Sequence, residues 1–261
     1  MKRKLLGYVN KILAPFSAAG DVLILIFQTF LNLPWIWLKR KDTMTQMYMA
    51  GFKSLPVVSI VAMFTGMIIS LQTGLALKDF GQQERIGQVI VVALTREMSP
   101  FMTALILAAA VGSAIAAEIG TMKVSEEIDA LEVMSINVVR YLVLPRIIGF
   151  TLVSPMLATY ATLLGVVGGG LVAKTQLAVE YSAYYGLVLD VLNSPTGFKD
   201  ILVGQLKALV FGLTISAISC QQGLSTRGGA IGVGIATRSA VVISFLLVIV
   251  LGYMISAIFY R

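Results

Sequence analysis

Residues 88–120 read QVIVVALTREMSPFMTALILAAAVGSAIAAEIG, and this stretch decides the fold class. From Gln88 to Ala117 the only charged side chains are those of the neighbours Arg96 and Glu97. A helix needs about 20 mostly apolar residues to cross the hydrocarbon of a bilayer, and this run is longer than that. The stretch therefore predicts a membrane-spanning helix with two opposite charges inside it.

Four further runs are also long and apolar, with at most one charged residue each. Hydrophobic residues make up 57% of the 261-residue chain and charged residues only 13%, whereas about a quarter of the residues in a soluble domain are charged. We predict an all-α membrane protein with five transmembrane helices, at residues 54–77, 88–117, 147–173, 201–221 and 239–260. Residues 54–261 would form this five-span domain.

Residues 1–53 are predicted to form an amino-terminal region with an amphipathic interfacial helix. The segment Asp21–Lys41 contains Pro34 and ends in two tryptophans followed by three basic residues, a composition typical of the headgroup level. A short true span is the alternative. The first 16 residues have a basic start like that of a signal peptide, but Asn10 and Lys11 interrupt the apolar stretch, so we expect them to be retained.

The composition also argues against several function classes. The chain has no histidine and a single cysteine, so neither a metal site nor a cofactor site is expected. It contains no Gly-Lys dipeptide and therefore no P-loop. Although the net charge is +7, the basic residues stand at the ends of apolar runs, which indicates topology rather than nucleic-acid binding.

The distribution of these basic residues predicts the orientation. With the amino terminus in the cytoplasm, 13 of the 20 Lys and Arg residues lie on the cytoplasmic side and five on the other. An excess of Lys and Arg in cytoplasmic loops is the rule for membrane proteins. We therefore expect a multi-pass protein with a cytoplasmic amino terminus.

The loop between the second and third spans predicts a short helix. Ser125 is followed by acidic residues, which is typical of a helix start, and apolar side chains recur at helical spacing. The apolar positions are Ile128, Leu131, Val133 and Met134. A second short helix is expected between the third and fourth spans, around residues 179–195.

The charged residues inside the spans are the candidate functional residues. Arg96, Glu97 and Lys207 are predicted at a similar depth below the outer surface, so a Glu97–Lys207 cluster is feasible. Pro100 would free backbone carbonyls that need an internal partner. The cluster is either a structural ion pair or the polar rim of a cavity, where two cations and one anion would suit an amphiphile with a negative headgroup. The run Gly165–Gly170 is expected to serve close helix packing rather than ligand contact.

Four segments of the chain resemble the MlaE family of permeases, the membrane subunits of ABC transporters that move phospholipids with an MCE-domain partner. They are SLQTGLAL (70–77), LTREMSPFMTALILAAAVGSAIAAEIGTMKVSEEIDALEVM (94–134), LPR (144–146) and LKALVFGLTIS (206–216). Relatives often carry an arginine near Ala110, where this chain has none.

The resemblance implies a homodimer in the inner membrane, beneath a ring of MCE subunits and above two cytoplasmic ATPase subunits, with a role in outer-membrane lipid asymmetry. It implies a lipid pocket near the outer face, between the two copies, and a cytoplasmic coupling helix at about residues 125–136. The implied lipid-binding residues are Gln72, Leu77, Phe80, Glu97 and Lys207. The interpretation of the charged cluster as a polar rim adds Arg96 to them. The implied ATPase-coupling residues are Glu126, Glu127, Asp129, Leu131 and Glu132.

The resulting functional prediction is a transport subunit driven by a separate ATPase, not an enzyme. A proton-coupled secondary transporter with Glu97 as its proton site is the alternative, although no internal repeat supports it. An intramembrane enzyme is disfavoured because no histidine, paired carboxylates or Ser-Lys arrangement is present.

Overall fold

The computed structural model describes residues 20–261, and within them the chain consists of helices joined by short turns and loops, with no strand. The amino-terminal stretch that we expect to be retained lies outside the described residues. Five helices are long and apolar enough to cross a membrane, which confirms the predicted fold class. They are α2 (Arg40–Asp79), α3 (Gln83–Val124), α5 (Val139–Gln176), α7 (Pro195–Leu224) and α8 (Gly229–Tyr260).

Three shorter helices complete the architecture. The first is α1 (Gly20–Leu31), which precedes the spans. The other two are α4 (Glu127–Val133), between the second and third spans, and α6 (Tyr181–Asn193), between the third and fourth. Because the spans alternate in direction, α4 and α6 lie at opposite ends of the bundle. We refer to these as the α4 end and the α6 end.

The interfacial segment is shorter and more broken than a span. The 12 residues of α1 extend about 18 Å, too little to cross about 30 Å of hydrocarbon. A 3₁₀ turn, Leu33–Trp37, follows, with Pro34 in its first turn. Arg140 at the start of α5 holds this turn, because its Nε donates to Asn32 Oδ1 at 2.6 Å and its guanidinium lies over the Trp35 ring.

The spanning helices are longer than the uncharged runs that predicted them. Helix α2 starts at Arg40, well before the uncharged run, and a 3₁₀ segment, Phe52–Ser54, is wound into it at the boundary between residues 53 and 54. The reason is that a helix does not have to stop where charged residues begin. Three π-helical segments, Leu94–Met98, Ala108–Gly112 and Val139–Val143, are wound into these spans.

Small residues allow α2 and α5 to touch along much of their length. From Leu55 to Asp79 the buried face of α2 repeats every four residues and consists of Val58, Ala62, Gly66, Ser70 and Gly74. A Cβ atom at Gly66 would collide with the Gly165 backbone, and one at Gly168 with the Met63 backbone. Ser70 Oγ donates to the Gly169 carbonyl at 2.9 Å. The glycine run therefore serves helix packing, as predicted.

Helix α6 confirms the prediction of a second short helix around residues 179–195. Tyr184 is fully buried, and its hydroxyl donates to the Val166 carbonyl at 2.9 Å, which fixes α6 against α5. Burial raises the pKa of the Tyr184 hydroxyl, so it remains a donor over the physiological range.

Helix α4 is shorter than the predicted 125–136 helix. Ser125 does not cap it, because the Ser125 hydroxyl bonds to the Thr121 carbonyl and to Glu127 Oε1. The helix begins after Glu126, whose φ of 61° is left-handed, and ends before Ser135, whose φ of 59° is left-handed as well.

Candidate functional site

The π-helical segment Leu94–Met98 forms the centre of the candidate site. Pro100 has no backbone N–H, so the carbonyl of Arg96, four residues earlier, loses its usual helical donor. The Nζ of Lys207 on α7 takes that place, donating to the Arg96 carbonyl at 2.9 Å. A π-helical turn inside an α-helix is frequently associated with function. The sequence LTREMSP thus creates a free carbonyl, and α7 supplies its partner.

Lys207 makes three hydrogen bonds, which use all three ammonium donors. Besides the Arg96 carbonyl, its Nζ donates to Glu97 Oε1 at 2.5 Å and to Ser256 Oγ on α8 at 2.6 Å. Ser256 Oγ in turn donates to Glu97 Oε1 at 2.5 Å. The three residues Glu97, Lys207 and Ser256 therefore join three spans at one point. The structure brings together the Glu97–Lys207 pair that the sequence made feasible.

A second contact starts at Arg96. Its Nε lies 2.7 Å from Asp200 Oδ1, but the Nε–H bond does not point at that oxygen, so the contact is an ion pair rather than a hydrogen bond. Tyr260 donates its hydroxyl to the same oxygen at 2.9 Å, and its ring lies under the Arg96 guanidinium. Asp200 is almost completely buried. We call Arg96, Glu97, Asp200, Lys207, Ser256 and Tyr260 the polar cluster.

Sequence reasoning missed three members of this cluster: Asp200, Ser256 and Tyr260. A signal for them exists, because Asp200 and Lys207 are seven residues apart and Ser256 and Tyr260 four apart, spacings that place each pair on one helix face. Asp200 also corrects the predicted charge balance. The cluster holds two cations and two anions, so it is neutral rather than positive.

The remaining predicted lipid-binding residues lie on α2 or just after it. Gln72 and Phe80 are exposed, and Leu77 packs against the core around Ile86. In the described part of the chain no hydrogen bond or ion pair connects these three residues to the polar cluster. One copy of the chain therefore brings together only Arg96, Glu97 and Lys207 from the predicted set.

At the α4 end, the predicted coupling residues divide into anchors and exposed groups. Ile128 is buried, Leu131 packs against the same core, and Asp129 is paired with Lys123 at 2.5 Å. The exposed side carries an acidic and apolar surface. Its residues are Glu126, Glu127, Glu132, Val133 and Met134. The four apolar positions expected to share one face are thus split between the core and the surface.

A further ion pair joins the spans that flank α4. Arg146 Nη2 on α5 donates to Glu118 Oε2 on α3 at 3.2 Å, and Arg146 is buried. Its Nη1 donates at 3.4 Å to the carbonyl of Leu142, which lies inside the third π segment. Ala110, where an arginine was expected from the resemblance, is exposed in the second π segment.

Comparison with known proteins identifies the family of this chain. A family model described as Permease MlaE matches residues 43–258, which include all five spans except the first turn of α2 and the end of α8. The chain belongs to the MlaE permease family. It is a multi-pass membrane protein and an ABC transporter permease, a class of protein that works with ATPase partners.

Similar proteins are found in bacteria and in a plant. The chain is 40% identical to a probable ABC transporter permease protein of Rickettsia prowazekii, over 83% of this chain and 82% of the relative. It is 35% identical to a probable ABC transporter permease protein of Synechocystis, over 97% of this chain and 92% of the relative. It is also 34% identical to the chloroplastic protein TRIGALACTOSYLDIACYLGLYCEROL 1 of Arabidopsis thaliana, over 85% of this chain and 62% of the relative.

Proposed function

We propose that this MlaE-family permease moves phospholipids or similar lipids between the inner membrane and an MCE-protein channel, driven by ATPase partners. The polar cluster is the observation that carries the proposal. Its Lys207 side chain is 1% exposed, whereas the Glu97 side chain is 45% exposed and faces out of the chain. A carboxylate is costly against hydrocarbon, so its exposed side needs a wet or polar neighbour. A lipid headgroup in a water-containing cleft supplies one.

A second copy of the chain would close that cleft. Helices α2 and α8 are the least buried of the five spans, so they are the ones available to face another copy. Phe64, Ile68 and Gln72 are exposed at successive turns of α2 and form one stripe. A homodimer that meets along this stripe would place Gln72 at the seam. This arrangement would give Gln72 and Phe80 the lipid contacts that they lack in one copy.

The cargo is supported by two observations. The cluster combines charged groups with a surrounding apolar surface, which suits an amphiphile. The Arabidopsis relative bears the name of a glycolipid, trigalactosyldiacylglycerol. The MCE partner and a place in outer-membrane lipid asymmetry rest on the family resemblance alone.

Helix α4 would receive the force from the ATPase. Its exposed surface offers Glu126, Glu127 and Val133 to a partner, while the buried Ile128 ties it to the bundle. The Glu118–Arg146 pair then joins α3 to α5 at the base of this helix. A push on α4 would therefore move two spans together. The excess of basic residues at this end supports a cytoplasmic α4 end in the inner membrane.

The proton-coupled alternative is not favoured. Glu97 Oε1 already accepts hydrogen bonds from Lys207 and Ser256, and the relatives are named as ABC transporter permeases. Proteoliposomes that contain the complete complex and a labelled phospholipid would test the choice. We expect transfer to acceptor vesicles to require ATP hydrolysis and to persist when a protonophore removes the proton gradient. Transfer that needs the gradient and ignores ATP would overturn the proposal.

A further inference from the structure

A cavity of about 370 Å³ lies on the side of the bundle, between α3, α5, α6 and α7. Val91 and Thr95 of α3, Val166 of α5, Val188 of α6 and Ile201 of α7 are among its walls. None of the charged residues of the polar cluster lines it. The cavity is therefore separate from the candidate site described above, although Thr95 belongs to the same π segment as Arg96 and Glu97.

The cavity opens sideways, toward the surface that a membrane would cover. Leu163 and Leu189 at its mouth are 62% and 57% exposed, whereas Ala158 and Val91 at its back are 1% exposed. Leu163 lies near the middle of α5, a helix that is long and apolar enough to cross the bilayer. The mouth therefore meets hydrocarbon, not water.

The threonine hydroxyls and the Gln205 amide in the wall have partners within the wall or its helices. Thr95 Oγ1 donates to the Val91 carbonyl at 2.7 Å, and Thr162 Oγ1 donates to the Ala158 carbonyl at 3.0 Å. Gln205 Nε2 donates to Thr159 Oγ1 at 2.9 Å. A cavity needs several free polar partners to hold water, and one without them stays dry or takes an apolar ligand.

The apolar walls decide between two kinds of occupant. An extended polypeptide segment would bring backbone N–H and C=O groups, which cost free energy when they are buried without partners. A single hydrocarbon chain is thin and flexible, and it has no backbone polar groups to satisfy.

We propose that this cavity binds one acyl chain of a membrane lipid. The chain would lie against Thr95 and Pro100, behind the segment that carries Arg96 and Glu97. It would also pass Tyr185 of α6, which places the lipid headgroup toward the α6 end. The inference does not rest on the proposed transport function, because a lipid can be held here whatever the complex moves.

The test uses the complete complex in nanodiscs of phosphatidylcholine, part of which carries a diazirine near the end of one acyl chain. After irradiation, mass spectrometry of the digested protein locates the lipid adducts. We expect the adduct yield at Val188 and Leu192 in the cavity wall to exceed that at Leu152 and Met156 several-fold. The latter two serve as the reference because they are exposed apolar positions of α5 that line neither the cavity nor the proposed seam between two copies.

Two variants make the test specific. Thr162→Phe fills the cavity and should lower the yield at Val188 several-fold. Leu209→Phe adds the same ring to an exposed position of α7 outside the cavity and should leave the yield unchanged. If Thr162→Phe fails to fold, Leu163→Trp blocks the exposed mouth without touching the core. A cavity yield no higher than that at Leu152 and Met156 overturns the proposal, and so does a yield that blocking does not change.

Discussion

Lys207 Nζ and Glu97 Oε1 lie 2.5 Å apart, yet the two side chains differ sharply in exposure, at 1% for Lys207 and 45% for Glu97. Lys207 depends on protein partners alone, whereas the carboxylate can also be hydrated or meet a ligand. The pair is thus a buried cation that fixes a half-exposed anion. This asymmetry leads to the first prediction.

Removal of Glu97 should destabilise the protein more than removal of Lys207. Glu97→Ala leaves a buried ammonium without its counter-ion, which costs about 3 kcal/mol. Lys207→Met leaves a carboxylate that water can reach, although the Arg96 carbonyl loses its donor, so we expect a smaller loss of about 2 kcal/mol. Thermal unfolding of the purified complex measures both. The double variant should be more stable than Glu97→Ala alone. Equal losses for the two single variants would contradict the asymmetry.

Asp200 should contribute more to the stability of the protein than the Tyr260 hydroxyl that donates to it. Asp200→Asn removes the counter-ion of Arg96, and removing one partner of a largely buried ion pair is expected to cost about 3 kcal/mol. Tyr260→Phe removes one hydrogen bond but keeps the ring beneath the guanidinium. We therefore expect it to lower the free energy of unfolding by about 1 kcal/mol. Thermal unfolding ranks the two variants. A larger loss for Tyr260→Phe would show that Arg96 does not depend on Asp200.

The exposed acids of α4 should control coupling rather than lipid retention. We expect the double variant Glu126→Gln/Glu127→Gln to lower ATP hydrolysis by the complex and lipid transfer together, because it removes charge from the surface offered to the ATPase. The lipid that copurifies should be unchanged. Glu84→Gln is the matched control, since Glu84 is exposed at the α6 end. Normal activity of the double variant would remove the coupling role.

Arg146→Lys should impair force transmission although it keeps the charge. Lysine cannot make the two guanidinium bonds to Glu118 and the Leu142 carbonyl at the same geometry. We therefore expect ATP hydrolysis to continue while the lipid moved per ATP falls several-fold. Lys123→Arg, at an ion pair in the same region, serves as the control. An unchanged ratio of transfer to hydrolysis would mean that the pair is only structural.

The close approach of α2 and α5 should make Gly66 intolerant of a methyl group. Gly66→Ala would drive its Cβ into the Gly165 backbone, so we expect a loss of about 2 kcal/mol or more, or failure to fold. Gly186→Ala is the matched control. That site in α6 is open, and alanine should stabilise the helix by up to about 1 kcal/mol. The same outcome at both positions would be inconsistent with the packing.

Much of the fold follows from the sequence because hydrocarbon leaves few choices. Long uncharged runs must be helices, and Pro100 must leave a carbonyl that needs a donor. A Glu97–Lys207 pair could be expected as well, because a charge inside a span has to find a partner and both residues lie at a similar depth. That Lys207 is also the donor to the Arg96 carbonyl is seen only in the structure.

Other parts of the site depend on tertiary contacts that local patterns do not encode. Asp200 and Tyr260 stand near the ends of their helices, where a charge or a hydroxyl normally faces water, and only the stagger of α7 against α8 brings them to Arg96. The π segments have no clear pattern in the sequence. Ser125 looked like a helix cap, but its hydroxyl is used by Thr121 and Glu127. Gln72 and Phe80 would acquire partners only in an assembly.

Native mass spectrometry of the complex, released from its own membrane, tests the central claim most directly. The account predicts two copies of this chain, bound ATPase and MCE subunits, and retained phospholipid. The retained lipid should fall in the Glu97→Ala/Lys207→Met variant, whose subunit stoichiometry should be unchanged. A single copy of the chain without lipid, or lipid retention that is indifferent to these two residues, would contradict it.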